Sequence, residues 1–325
     1  MRKRVLSGIR PTGELHLGNY LGAIRQWIDL QHKYESFFMV ADLHAITSDF
    51  EPKNLQKLIY ELVAIYLAAG LDTKKAMIFV QSHIPQHTEL AWLLSTLTSF
   101  GDLNRMTQFK EKSQKEQPHN VNAGLFNYPL LMTADIIIYK ADLVPVGEDQ
   151  VQHIELARAI VDRFNRLYGR FFPKPRPLLT KGARIMSLNN PNRKMAKSVS
   201  GSYISLLDSP AVIKQKIMSA VTDTKPGKKM SGGVKNLFTL LNIFAEPAMY
   251  ESFKEKYQKG TIKYLELKKQ LAEDIIRGLA PLQKNFIKLK NDQKYLKKVI
   301  GGGDQKARVI AAATLLEVKK KMGLI

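Results

Sequence analysis

The sequence predicts an α/β protein: a parallel sheet covered by helices on both faces, then an all-helical C-terminal region. Three observations predict it. Short, wholly apolar runs alternate with stretches of helical period from Val5 to Phe100, the pattern of strands buried on both faces. One more strand-and-helix pair follows between Leu143 and Tyr168, and beyond Asp208 only helical periodicity remains. The division expected is residues 1–203, with a helical connecting segment at about 101–170, and residues 204–325. A length of 325 residues suits two domains at roughly 150 residues each.

The first strand is Val5-Leu6-Ser7-Gly8-Ile9, followed by a Pro/Gly turn and a helix with Leu21, Ile24, Trp27, Ile28 and Leu30 at helical spacing. Phe37 to Ala41 reads as the second strand. Glu51-Pro52 opens a helix that keeps its period to Gly70, a C-terminal stop. Ala76 to Val80 is the third strand, and Thr88 to Phe100 the next helix. Asn127 to Tyr139 is helix-like and apolar except for Asp135. Leu143 to Gly147 is a short strand, and Glu148-Asp149-Gln150 starts an amphipathic helix to Tyr168, its acids at the positive end. Pro173, Pro175 and Pro177 punctuate the exit, and Ala183 to Leu188 reads as a last strand. Asp208-Ser209-Pro210 caps a helix to Ala220. Further helices are expected at about 236–244, 261–289 and 305–321, with Gly301-Gly302-Gly303-Asp304 as the turn before the last.

A net charge of +21 suits a polyanionic partner. Its distribution sharpens this, because residues 201–325 hold 24 basic against 11 acidic residues. The absence of cysteine excludes disulfides, thiolate metal sites and cysteine nucleophiles. Met1-Arg2-Lys3-Arg4 precedes a run too short and glycine-rich for a signal peptide, and no stretch reaches membrane-spanning length; a cytoplasmic protein is expected.

Two stretches carry the chemistry. Arg10-Pro11-Thr12-Gly13-Glu14-Leu15-His16-Leu17-Gly18-Asn19-Tyr20 lies between a strand and a helix start, where unpaired amides and the helix dipole favour an anion. Gly18 permits close backbone approach, and His16 and Asn19 offer neutral donors, so ATP phosphates are expected here. Far downstream, Lys194 and Lys197 flank Met195-Ala196 ahead of Ser198. Two movable ammonium groups suit a triphosphate losing pyrophosphate, chemistry that rests on positioning and electrostatics. The phosphate-loop, zinc-protease and serine-hydrolase motifs are absent from the sequence.

Asp135 is costly in an apolar run unless paired. It is either an edge residue, a partner of a lysine, or the acceptor for an N–H on an otherwise apolar ligand. Tyr128 and Met132 share its helical face, and with Val144 and Val146 they would wall a flat pocket. That chemistry ranks tryptophan ahead of tyrosine as ligand.

Together the two stretches resemble the HIGH and KMSKS signatures of class I aminoacyl-tRNA synthetases. Ser7-Gly8-Ile9 with Pro11 and Gly13, Leu17 to Tyr20, Arg105 to Lys110, Ala134-Asp135-Ile136, Val144 to Gln150 with His153 to Leu156, Met186 to Leu188 and Ser219 to Asp223 are similar to the bacterial tryptophanyl branch. The resemblance covers residues 5–224 and implies a Rossmann-like catalytic domain, a C-terminal helical anticodon-binding domain and a homodimer using the region of the Asp135 helix. It implies tryptophan activation with Mg2+·ATP and transfer to the 3′-terminal adenosine of a tRNA, without a protein-ligated metal. Arg10, Pro11, Thr12, His16, Gly18, Asn19, Gly147, Glu148, Asp149, Ile185, Met195 and Ala196 would meet ATP. Lys112, Lys194, Lys197 and Ser198 would meet its phosphates, the lysines as catalytic groups. Asp135 would accept the indole N–H, among Tyr128, Met132, Val144, Val146 and Gln150, with His44 closing the pocket. Ala196 stands where the family usually has serine, Arg10 where glutamine is common, and Val199-Ser200-Gly201 where many relatives carry Asp-Pro-Asn. Tyrosine ligation, a silent RNA-binding role and a tRNA-independent nucleotidyltransferase are the competing readings.

Overall fold

A computed structural model describes residues 2–114, 121–179, 185–195, 199, 201–223 and 229–325, with the backbone alone at 112. Five parallel strands form its sheet: β1 (Arg4–Ile9), β2 (Glu35–Val40), β3 (Ala76–Val80), β4 (Leu143–Val146) and β5 (Arg176–Leu179). Their order is β3-β2-β1-β4-β5. The register sets Val5 between Ser36 and Leu143, and Ile78 beside Phe38. The chain winds outward from β1 to β3, then returns to lay β4 against the other side of β1. The carboxyl ends of β1 and β4 therefore flank the point where winding reverses, the usual ligand crevice of such sheets. Arg10 follows one end and Gly147 the other.

Four strands lie where the apolar runs predict, within a residue or two. The fifth does not. β5 is Arg176–Leu179, inside the proline-punctuated stretch, and it pairs with β4 from Leu143↔Arg176 to Val146↔Leu179. Pro177 is tolerated because β5 is an edge strand, with no ladder partner on its outer side among the described residues. The strand expected at 183–188 is corrected: residues 183 and 184 lie outside the described part, and of the rest only Met186 makes a one-residue antiparallel bridge, to Lys194.

The helices differ more at their ends. The helix after the first loop runs Leu17–Asn19, a π-turn Tyr20–Ile24, then Arg25–Lys33. The helix after β3 is Gln86–Ser95, and a new one, Phe100–Asn104, is capped by Ser99, whose hydroxyl accepts the Asp102 amide. Ser209 caps Pro210–Ser219 as its spacing predicts. The helix Pro247–Gln258 has no counterpart in the sequence reading, because Glu251, Lys254, Glu255 and Lys256 mask its apolar side.

The largest correction concerns Gly301-Gly302-Gly303. It is no turn but the interior of one helix, Gln293–Lys321. A Cβ at Gly303 would stand 1.7 Å from the Ile78 carbonyl oxygen, whereas none would meet anything at Gly301 or Gly302. Glycine is thus required at one position of the three, where a helix backbone lies directly on the outer edge of β3. That cover blunts an open sheet edge.

By packing, the chain forms two compact units: Met1–Thr12, Trp27–Thr180 and Leu289–Ile325 in the first, Gly13–Gln26 and Lys181–Lys288 in the second. They are thus not the division at 203/204, since residues 289–325 pack with the sheet. The core of the first unit joins strand residues such as Phe37 and Phe79 to Ile136 to Tyr139, Ile160 and Phe164. Ala307, Ala311, Leu315 and Val318 of the C-terminal helix complete it. Trp27 lies stacked on Phe38, ring centres 4.6 Å apart, with Tyr66 edge-on. In the second unit Leu237, Leu241, Leu267, Leu271 and Ile275 are buried, and Phe238 meets Tyr250 and Tyr257 edge-on.

Candidate active site

In the first unit the site is built on the helix Ala123–Ile138. Asn122 starts it by accepting the Leu125 amide at 2.9 Å. Three turns on, Asp135 is 1% exposed and surrounded by donors. Gln81 Nε2 donates to both carboxylate oxygens at 2.9 Å, His44 Nε2 to Oδ2 at 2.7 Å, and His87 Nδ1 to Oδ1 at 2.6 Å. A carboxylate has about four acceptor positions, and all are used. Since an ionised carboxylate only accepts, the network assigns both imidazoles as donors to it. The other nitrogen of His87 faces the Tyr139 hydroxyl at 2.8 Å, which donates to it when the ring is neutral.

Burial would raise the pKa of Asp135, but the hydrogen bonds from His44 and His87 outweigh it and lower the group to about 2. The same burial, with Asp135 nearby, pushes the Tyr139 phenol far up, so it stays protonated and able to donate. The partner is therefore neither a lysine nor solvent. It is a shell of side-chain donors, Gln81, His44 and His87, drawn from just beyond the ends of β2 and β3.

Tyr128, seven residues before Asp135, is buried, and its hydroxyl lies 2.8 Å from His153 Nε2. Burial pushes its phenol up to about 12. Its ring meets His44 edge-on at 6.3 Å between centres. Met132 is half-buried against the core, and Val144 and Val146 are buried in β4. Gln150 donates to Asp149 Oδ2 at 3.2 Å. The structure thus brings Asp135, Tyr128 and His44 together as expected. The sequence alone gives no role to Gln81, His87 or Tyr139, and it offers His153 only as part of the family resemblance. The one available signal was the position of Gln81 to His87 directly after the carboxyl end of β3.

Arg10, Pro11 and Thr12 leave β1 in a tight bend, the Thr12 amide donating to the Arg10 carbonyl at 2.9 Å. Arg10 is exposed. After β4, Gly147 precedes a single 3-10 turn, Glu148–Gln150, with Glu148 and Asp149 exposed.

In the second unit, His16 and Asn19 close a reciprocal cap. His16 Nδ1 accepts the Asn19 amide at 3.3 Å, and Asn19 Oδ1 accepts the His16 amide at 3.2 Å. The neutral ring therefore carries its proton on Nε2. Residues 15–17 pair with 204–206: the Leu17 amide donates to Ile204 O at 3.0 Å and the Leu206 amide to Leu15 O at 2.9 Å. Residues 193–195 fold back on residues 185–187, with the Met195 amide donating to Ile185 O at 3.1 Å and the Ser187 amide to Arg193 O at 2.9 Å. A Cβ at Gly18 would stand 3.0 Å from the His16 ring and 3.7 Å from Met195 Cβ. Gly18 and Met195, 177 residues apart in sequence, are thus neighbours in one compact unit. Lys194 is exposed, while Met195 and Ile185 are buried. Ala196, Lys197, Ser198 and the Lys112 side chain lie outside the described residues, as does most of the basic 225–229 segment.

A parallel sheet whose winding reverses between β1 and β4 defines a doubly wound α/β protein of the nucleotide-binding type. Residues 1–280 match the family model of class I tRNA synthetases for W and Y, and the chain belongs to that family. It is 47% identical to the tryptophan–tRNA ligase of Caldanaerobacter subterraneus over 99% of both chains. The Helicobacter pylori tryptophan–tRNA ligase is 46% identical over 100% of this chain and 99% of its own. Among solved structures, the Campylobacter jejuni tryptophanyl-tRNA synthetase complexed with ADP and tryptophan superposes with a TM-score of 0.87. It is 32% identical and covers 98% of this chain and 99% of its own. Among the described residues no helix is long and apolar enough to cross a membrane.

Proposed function

We propose that this chain is a tryptophan–tRNA ligase. It activates L-tryptophan with Mg2+·ATP to tryptophanyl-adenylate and pyrophosphate, then transfers the acyl group to the 3′-terminal adenosine of its tRNA. The observation that carries the amino-acid choice is Asp135: a buried carboxylate kept ionised on an apolar helix that also carries Tyr128 and Met132. It suits a flat apolar ligand with one N–H, and a site built to bond an N–H rejects ligands lacking it. With all its acceptor positions filled, Asp135 takes the indole N–H by exchanging a partner. His44, 11% exposed, is the one able to leave, which makes it the closing residue of the pocket.

We assign nucleotide-handling roles to Arg10, Pro11, Thr12, Gly147, Glu148 and Asp149 of the first unit. In the second, His16, Gly18, Asn19, Ile185 and Met195 take such roles, with Ala196 and Ser198. Lys112, Lys194 and Lys197 meet the phosphates and stabilise the charge that develops as pyrophosphate leaves. Gln150 borders the amino-acid pocket. Within the basic stretch 204–325, the helices up to residue 288 serve as the anticodon-binding part, while residues 289–325 belong with the sheet. The enzyme works in the cytoplasm as a homodimer. Trp92 and Phe100 support the dimer, being each 72% exposed, with Phe100 against Phe126 of the Asp135 helix. Such exposed aromatic surface marks an interface.

Amino-acid-dependent ATP–pyrophosphate exchange tests the reading without tRNA. Exchange with tryptophan, and not with tyrosine or phenylalanine, is expected. A preference for tyrosine would reassign the pocket.

A further inference from the structure

We propose that Asp304, on the C-terminal helix Gln293–Lys321, is a positioning residue for the amino-acid pocket, holding the turn that presents Gln81 to Asp135. This rests on the reading of Asp135 as the acceptor of the ligand N–H.

The turn is Gln81–His83, where the chain leaves β3. β3 is an edge strand, so among the described residues its outward amides have no ladder partner. Asp304 Oδ1 accepts the outward Val80 amide at 3.0 Å, and its Oδ2 accepts His83 Nδ1–H at 2.5 Å. One carboxylate thus brackets Gln81 from both sides. One helical turn further on, Arg308 donates to the His83 carbonyl at 2.7 Å. On the inner side, Asp42 Oδ1 accepts the Ser82 amide at 2.9 Å.

The Gln81 side chain is fully buried, and its amide has one workable orientation. Oε1 accepts the Leu43 amide at 3.1 Å, which leaves Nε2 to face both oxygens of Asp135. A shift of the turn would move this donor and so reorient the carboxylate. The helix cannot drift without moving the turn, because Gly303 brings its backbone onto the Ile78 carbonyl. The order of transmission is Asp304, the 80–83 backbone, Gln81, Asp135.

The experiment measures exchange with tryptophan and with its benzothiophene isostere, which keeps the flat ring but has no N–H. Asp304→Ala is expected to lower kcat/KM for tryptophan about tenfold, leaving the isostere and the KM for ATP within about twofold. Gln81→Ala should act alike, and the double variant should be no worse than the poorer single within about twofold. Equal losses for both amino acids, or losses that add fully in the double variant, would overturn the proposal. Should Asp304→Ala fail to fold, His83→Ala decides: its side chain is 46% exposed, and a selective tryptophan loss of about threefold is expected. No selective loss there overturns the proposal. Wild-type enzyme that uses the two amino acids equally well would instead refute the reading of Asp135 itself.

Discussion

The Asp135 pocket and the paired signature stretches solve opposite problems. Asp135 is sealed from water, and each of its acceptor positions meets a named side-chain donor. Around the signatures, main-chain bonds fix residues 15–17 and 185–195, while Lys194 keeps an exposed surface. A neutral ring with one N–H is recognised by a rigid acceptor in a low dielectric, where an unmade hydrogen bond is expensive. In the proposed role, a triphosphate that changes charge as it reacts would meet exposed cations on a fixed backbone. On the proposed assignment, selectivity would reside in buried groups and rate in exposed ones.

Asp135→Asn should give the largest effect and hit both stability and selectivity. It keeps the volume but breaks the charge-assisted bonds from His44 and His87. A stability loss of about 3–5 kcal/mol in denaturant unfolding is expected, as for a broken buried pair. Tryptophan-dependent exchange should fall by about 10²–10³ with the KM for ATP nearly unchanged, a loss sized like that of a buried charge partner. Equal damage to ATP binding would erase the contrast between the regions.

Lys194→Ala should do the reverse. The exchange rate is expected to fall about 10²-fold, as for loss of one charge-stabilising donor. Stability should move by no more than about 0.5 kcal/mol, the usual range for an exposed site. A large fall in unfolding midpoint would show that Lys194 is structural.

The three glycines of the C-terminal helix offer an internal control. Gly302→Ala, with nothing near its Cβ, should stabilise by about 0.5–1 kcal/mol through helix propensity and unfolded-state entropy. Gly303→Ala should destabilise by about 1–3 kcal/mol or more, because the helix must leave the β3 edge. Opposite signs at adjacent residues are expected in thermal melts; like signs would place the helix elsewhere.

The smallest effect expected is on pH dependence. The hydrogen bond to Asp304 raises the pKa of His83 above its ordinary 6.5. A raised pKa means stability fully present below the unfolded value and lost as pH rises through the folded one. Stability of the helix–β3 junction should therefore decline above pH 6.5, and Asp304→Asn should flatten that slope in melts across neutral pH. The half-exposed ring makes the change modest.

How far the sequence could be read follows from where the information lies. β1 to β4 are continuous apolar runs, and their physics is local. β5 was missed because Pro177 reads as a breaker unless the strand is known to be at an edge. The triple glycine reads as a turn because intrinsic propensity says so. Only the Ile78 carbonyl, from another strand, explains why a helix keeps Gly303. Asp135 stood out as a charge in an apolar helix. Its partners did not, because Gln81, His87 and His44 lie 48 to 91 residues away and only the sheet order gathers them.

The helix that closes the β3 edge also sets a timetable for synthesis. Val80 and its partner Asp304 are 224 residues apart, so at 5–20 residues per second the edge of β3 leaves the ribosome roughly 10–45 seconds before its cover. During that interval a nascent chain carries an apolar sheet with an open flank, the state most prone to join another chain. The order in which the polypeptide is made and the order in which its sheet becomes safe are therefore different. Chaperone capture of this enzyme should be heaviest on ribosome-bound chains that contain β3 but lack residues 293–321.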